Sequence, residues 1–245
     1  MIKLLISDLD DTLYDWTGFF VPAFYAMADE IARMTGIDEK KLLNEYMAAH
    51  QRLGSVEYPY ATLELPSIKA YYNNAPAEEM KAALRPAFNV FNSVRESHLH
   101  LLPGVEEMLR ALTEMGVTLI AYTESSKENG FYRLMKLGLE PYFKHVYTFE
   151  SQFKSAYAVS EKVRTVQTKK PDVAVIERIC AGEGYDKSEV MYLGDNLTKD
   201  MYMAKMAEVT AVWMHRKCEN EDYKNKLLAI TSWTAAEYAR DVELR

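Results

Sequence analysis

The chain has 245 residues, 49% of them apolar and 27% charged, enough to bury the core of one large domain or of a domain carrying an insert. A formal net charge of -7 argues against a nucleic-acid polymer or an anionic membrane surface as the main partner, since neither attracts an acidic protein. Cys180 and Cys218 lack the spacing of a zinc site or disulfide framework, and the apolar stretch before Asp8 is too short for a signal peptide or membrane span, so a cytoplasmic protein is expected.

Leu4 to Ile6 read as a short buried strand, and Asp8, Asp10 and Asp11 follow with no turn residue between. Strand alternation predicts that Asp8 and Asp10 start out on one face. Two carboxylates that close repel unless a cation or a shared proton relieves them. A hard divalent cation is the expected occupant, because Mg²⁺ is typically held by one or two carboxylates together with substrate phosphate oxygens. From Asp15 to about His100 the pattern is helical. Phe20, Phe24, Met27 and Ile31 form one apolar face, with Gly36 as a stop. Asp38 caps a second helix through Leu42, Leu43, Tyr46 and Met47 that ends near Gly54. A third helical stretch runs from Met80 to Arg95, broken or kinked by Pro86.

After the Pro103-Gly104 turn the pattern changes. A helix over Val105–Met115 leads to a strand over Val117–Tyr122, a helix over 127–137 and a short strand over Val146–Phe149. Gln152–Thr168 read as a long helix or a flap. A helix near 172–181, a strand over Val190–Leu193, a helix over Asp200–Met206 and a strand over Thr210–Met214 complete the series. Strands alternating with helices predict a mostly parallel, Rossmann-like α/β core over 1–14 and 101–245, with a smaller all-helical domain over 15–100.

Ligands of open α/β sheets bind beyond the carboxyl ends of the strands. Asp8, Asp10, Asp11 and Thr12 follow the first strand, and Thr123, Glu124, Ser125 and Ser126 follow the second. Gly194, Asp195 and Asn196 follow the 190–193 strand, with Asp200 five residues past Asp195. Lys169 and Lys170 precede Pro171 in between, and either could face the site. Acidic groups, a hydroxyl and a lysine on one sheet edge suit phosphoryl transfer. Each residue has a plainer reading: Thr123 as a helix cap, the lysines as a surface pair, Asp195 in a turn, Asp200 as an N-cap. Four such coincidences in register weigh against that alternative.

With these residues in place the chain resembles the haloacid dehalogenase (HAD) superfamily, in particular its phosphatases with a helical cap inserted after the first strand. The resemblance rests on Asp8-Leu9-Asp10-Asp11-Thr12, on Ile120-Ala121-Tyr122-Thr123, on Lys170-Pro171 and on Gly194-Asp195 through Asp200. It implies Asp8 as the nucleophile and Asp10 as general acid, then base. It also implies Mg²⁺ held by Asp8, the backbone carbonyl of Asp10 and Asp195, with Asp200 as a further ligand or an orienter of Lys170. Thr123, Glu124 and Lys170 would line the phosphate, although the family more often carries Asn where this chain has Glu124. A small phosphomonoester, such as a nucleoside monophosphate or sugar phosphate, is the implied substrate, chosen by the cap. Asp10 favours phosphate esters over haloacids, since an alkoxide needs a proton and a halide does not. A phosphomutase of the same superfamily is the close alternative, and a phospho-accepting regulatory protein the more distant one.

Overall fold

The structure, a computed structural model, describes residues 1–58, 60–150, 160–215 and 220–231. In chain order its elements are β1 (Leu4–Ser7), α1 (Trp16–Thr35), α2 (Glu39–Leu53), α3 (Pro66–Tyr71), α4 (Ala77–Ala83), α5 (Arg85–His98) and α6 (Val105–Glu114). Then come β2 (Thr118–Ser126), α7 (Lys127–Lys136), β3 (His145–Phe149), β4 (Val163–Val166), α8 (Val173–Glu183), β5 (Val190–Gly194), α9 (Tyr202–Met206), β6 (Thr210–Trp213) and α10 (Glu221–Leu228). The described residues divide into two units, 1–15 with 100–215, and 16–99 with 220–231.

The first unit is built on a six-stranded sheet of order β4-β3-β2-β1-β5-β6, parallel throughout. Leu4 pairs with Thr118 on one side and Val190 on the other, which makes β1 central. A central parallel strand is covered on both faces and reads as an unbroken apolar run. Leu4, Leu5 and Ile6 accordingly have no exposed surface. Leu4, Ile6, Tyr122, Val190 and Tyr192 pack with Val175, Ile176 and Ile179 of α8 and Met203 of α9. The Asp172 side chain caps α8 by accepting from the Ala174 amide, and Gly184 closes the helix in the left-handed region. Because the chain leaves β1 for β2 on one side and β5 lies on the other, the carboxyl end of β1 is a topological switch point.

In the secondary structure of this unit three details differ from the sequence reading. Val163–Val166 form an edge strand, although a helix or flap is expected over 152–168; residues 152–159 of that expectation lie outside the described residues. Val166 turns inward while Arg164 and Thr165 face solvent, a pattern four residues long that a strand accommodates beside β3. The second strand runs past Tyr122 to Ser126. Finally, a π-helical turn over Leu197–Met201 precedes α9, so helical structure begins before Asp200.

In the second unit α1 buries Phe20, Phe24, Met27 and Ile31 and packs against α5, α2 and α10. Phe24 meets Tyr46 edge-on at 4.8 Å and His50 at 5.6 Å. The helical stretch expected over 80–95, broken or kinked by Pro86, is two helices, α4 and α5. They part at Leu84 because Pro86 sits in the first turn of α5, where its missing N–H leaves nothing unpaired. Residues 220–231 belong with this unit, whereas the sequence reading assigns them to the α/β core. The bonds responsible run from Tyr25 Oη to the Lys226 carbonyl at 2.9 Å and between His50 Nδ1 and the Ile230 carbonyl at 2.7 Å. Among the described residues no helix is long and apolar enough to cross a membrane.

Candidate active site

The strand β1 ends at Ser7, so Asp8 leaves the sheet at the switch point, where its amide donates to the Leu193 carbonyl at 2.8 Å. Its carboxylate is buried. Oδ2 accepts from Thr12 Oγ1 at 3.0 Å and Oδ1 from Lys170 Nζ at 2.5 Å. Lys170 also donates to Asp200 Oδ1 at 2.9 Å, and its ammonium lies 4.9 Å from the Tyr122 ring centroid and 5.6 Å from that of Tyr192. Lys169 points elsewhere, over the Phe149 ring. Of the two lysines, Lys170 is the one that reaches the acidic cluster.

Asp200 is fixed from three directions. Tyr192 Oη donates to Oδ1 at 2.9 Å, the Asn196 amide to Oδ2 at 3.1 Å, and Lys170 completes the set. Gly194 is required by the same packing, because a Cβ there would fall 2.5 Å from the Asp200 side chain. Asp195 is anchored through its carbonyl, which accepts from Trp213 Nε1 at 2.9 Å. Asp8, Asp195 and Asp200 each offer an oxygen within 4.8 Å of the others. All-oxygen donors so close together fit a hard divalent cation rather than a soft metal.

The electrostatics agree with that fit. Burial pushes the Asp8 carboxyl well above the usual aspartate range; Lys170 opposes the shift, while Asp200, Asp195 and Asp10 add to it. Burial alone would pull Lys170 down, but the Asp200 and Asp8 carboxylates outweigh it and hold the ammonium well above its ordinary value. A cluster short of positive charge is one that a bound cation stabilises.

Asp10 departs from the strand-face expectation. The chain bends after it, with Asp11 at φ 56°, and the Asp10 carboxylate takes a set of partners separate from those of Asp8. Oδ1 accepts from Tyr14 Oη at 2.8 Å and from Arg133 Nη1 at 2.7 Å; Oδ2 accepts from Thr123 Oγ1 at 3.0 Å and from Ser125 Oγ at 2.9 Å. Strand alternation fails here because the strand has already ended at Ser7. The Thr123 hydroxyl thus faces Asp10 and not Lys170. Glu124, whose charge is unexpected at a phosphate site, is paired at 2.5 Å with Lys199.

Sequence reasoning missed Tyr14, Arg133, Tyr192 and Lys199. Tyr192 was legible only as one more apolar strand residue, and Lys199 only as filler in the Gly194–Asp200 run. Arg133 lies one turn beyond Gly130, the residue that lets α7 approach β2: a Cβ at Gly130 would be 3.1 Å from Thr123 Cγ2.

A family model described as haloacid dehalogenase-like hydrolase matches residues 40–214. The glyceraldehyde 3-phosphate phosphatase of Pyrococcus abyssi is 25% identical over 224 residues, covering 87% of this chain and 81% of that protein. The phosphoserine phosphatase of Thermus thermophilus is 24% identical over 246 residues, covering 90% of this chain and 92% of that one. Among solved structures, the 2-haloacid dehalogenase from Pseudomonas syringae pv. Tomato superposes with a TM-score of 0.60 at 24% identity, over 90% of this chain and 91% of that chain, a likeness of fold. The family match spans most of the sequence and runs through β6, and by it this chain belongs to the haloacid dehalogenase-like hydrolases.

Proposed function

We propose that the protein is a Mg²⁺-dependent phosphatase that hydrolyses a small phosphomonoester through an aspartyl-phosphate on Asp8. The observation that carries this reading is the buried Asp8 carboxylate, clamped by Thr12 and Lys170 and within 4.8 Å of Asp195 and Asp200 at the sheet's switch point. Bound by Asp8, the Asp10 carbonyl and Asp195, with Asp200 behind, Mg²⁺ would neutralise the repulsion between carboxylate and phosphate.

In the first displacement an Asp8 oxygen attacks phosphorus and the ester P–O bond breaks, while Asp10 gives a proton to the departing alkoxide. In the second, Asp10 takes a proton from water as that water attacks the same phosphorus, which releases inorganic phosphate and restores Asp8. Lys170 stabilises charge on the equatorial oxygens, and Lys199 offsets Glu124. A carboxylate at position 10 favours esters, whose leaving groups need a proton, over carbon–halogen bonds. The names of two relatives, for glyceraldehyde 3-phosphate and for phosphoserine, support a small phosphomonoester, with sugar phosphates first among those to assay.

The direct experiment is release of inorganic phosphate from p-nitrophenyl phosphate and from a panel of sugar phosphates and nucleoside monophosphates, with and without EDTA. Activity should depend on Mg²⁺, and Asp8→Asn should lower kcat by more than about 10³-fold, as removal of a covalent nucleophile does. Undiminished turnover by Asp8→Asn would overturn the assignment.

A further inference from the structure

We infer that Arg133 is a positioning residue for Asp10: together with Ser125 it sets where the proton-transfer carboxylate stands. The inference rests on the phosphatase reading above and goes beyond it, because no motif of the sequence contains Arg133. Arg133 is 3% exposed, although an arginine on an amphipathic surface helix ordinarily keeps its guanidinium in water. Its Nη1 donates to Asp10 Oδ1 at 2.7 Å and to Ser125 Oγ at 3.0 Å, and Ser125 Oγ donates in turn to Asp10 Oδ2 at 2.9 Å. One guanidinium nitrogen therefore touches one carboxylate oxygen directly and the other through a hydroxyl.

The remaining contacts fit the same purpose. Tyr14 Oη and Thr123 Oγ1 add one donor to each oxygen, and donors on both oxygens fix the carboxylate plane. Burial and the neighbouring Asp10 raise the Tyr14 phenol well above its ordinary value, which keeps it a donor. The backbone is arranged to bring the arginine in. Gly130 permits the close approach of α7 to Thr123 and Ser125, and the Ser126 side chain caps the helix by accepting from the Asn129 amide. A buried charged hydrogen bond that served stability alone would be replaceable by apolar packing. Aimed at the carboxylate that moves protons, it supplies geometry, and proton transfer is lost with small misplacements.

Leaving-group dependence separates this role from a merely structural one. The ratio kcat/KM reports steps up to departure of the alcohol, so it senses the general acid most for alkyl phosphates and least for 2,4-dinitrophenyl phosphate, whose leaving group needs no proton. Arg133→Met should lower kcat/KM on glycerol phosphate by roughly 10²-fold, within the usual range for general acid catalysis, and on 2,4-dinitrophenyl phosphate by under about 5-fold. Arg133→Lys should recover part of the alkyl phosphate activity, and Ser125→Ala should give the same skewed pattern in milder form. Combined with Asp10→Asn, Arg133→Met should add little further loss, as expected of residues acting as a unit. Equal losses on both substrates, or full additivity with Asp10→Asn, would overturn the inference. If Arg133→Met does not fold, the Ser125→Ala profile decides by the same criterion. Failure here with Asp8→Asn inactive removes only this inference; an active Asp8→Asn removes the phosphatase reading itself.

Discussion

Gly194 shows how a single missing atom can hold a site together. The Asp200 carboxylate sits where a side chain on residue 194 would be, with atoms 2.5 to 2.6 Å from an added Cβ. Contacts that short involve a buried carboxylate fixed by Tyr192, Asn196 and Lys170, so neither partner can step aside. Gly194→Ala should therefore destabilise the α/β unit by about 1–3 kcal/mol, the usual cost of overpacking, read as a lower urea midpoint. Asp200 would turn away from Lys170, and phosphatase activity should fall with it. An alanine variant with unchanged midpoint and turnover would show that the loop relaxes freely. The Glu124–Lys199 pair makes a related point. A charge that looks misplaced in the sequence is balanced by a residue 75 positions away that no local pattern connects to it.

At the scale of elements, the segment that includes α10 is held in part by a hydrogen bond whose energy depends on pH. His50 is buried between Phe24 and Tyr46, and its Nδ1 is 2.7 Å from the Ile230 carbonyl just beyond α10. Burial lowers its pKa below the ordinary histidine value, and the bond to Ile230 only partly offsets that. The folded state thus binds fewer protons than the unfolded chain once pH falls below about 6.5, the unfolded histidine value. Stability is complete above that pH and is lost as pH falls towards the folded-state pKa, with a slope of at most about 1.4 kcal/mol per pH unit for one proton. Urea unfolding between pH 7 and 5 should show this slope in the native protein and a shallower one in His50→Gln, which retains a donor but does not titrate. Parallel slopes would mean that His50 is not the group responsible.

The elements themselves were largely legible, because apolar periodicity reports which face is covered. Phe20, Phe24, Met27 and Ile31 marked α1, and Leu4 to Ile6 marked a strand buried on both faces. What escaped was set by distant partners. Val163–Val166 become a strand only because β3 offers an edge, and residues 220–231 join the helical unit through packing on α1 and hydrogen bonds to side chains about two hundred positions earlier. The candidate site divides the same way. Asp8, Asp195 and Asp200 follow from strand ends and spacing, whereas the choice of Lys170 over Lys169 needs the fold and the partners of Asp10 depend on how closely α7 approaches β2.

For the molecule as a whole, charge and stability are coupled at the acidic cluster. The chain carries a formal net charge of -7, and three of its carboxylates lie within a few ångströms of one another beside the buried Lys170. A divalent cation that binds the folded protein and not the unfolded chain stabilises by about 2.7 kcal/mol at a hundred times its Kd. Mg²⁺ should accordingly raise Tm in a concentration-dependent way, EDTA should reverse the rise, and Asp195→Asn should abolish most of it. An equal rise in that variant would place the bound ion somewhere else.

The central position of β1 has a consequence for biosynthesis. Leu4 finds its neighbours only in Thr118 and Val190. At typical elongation rates, roughly 6–23 s pass between translation of β1 and of its first partner strand. Once clear of the ribosome, the chain carries an apolar tetrapeptide whose backbone groups have no strand to pair with until β2 follows. A short apolar strand without a partner is the kind of segment from which aggregation starts, so the sheet is most vulnerable before β2 is made.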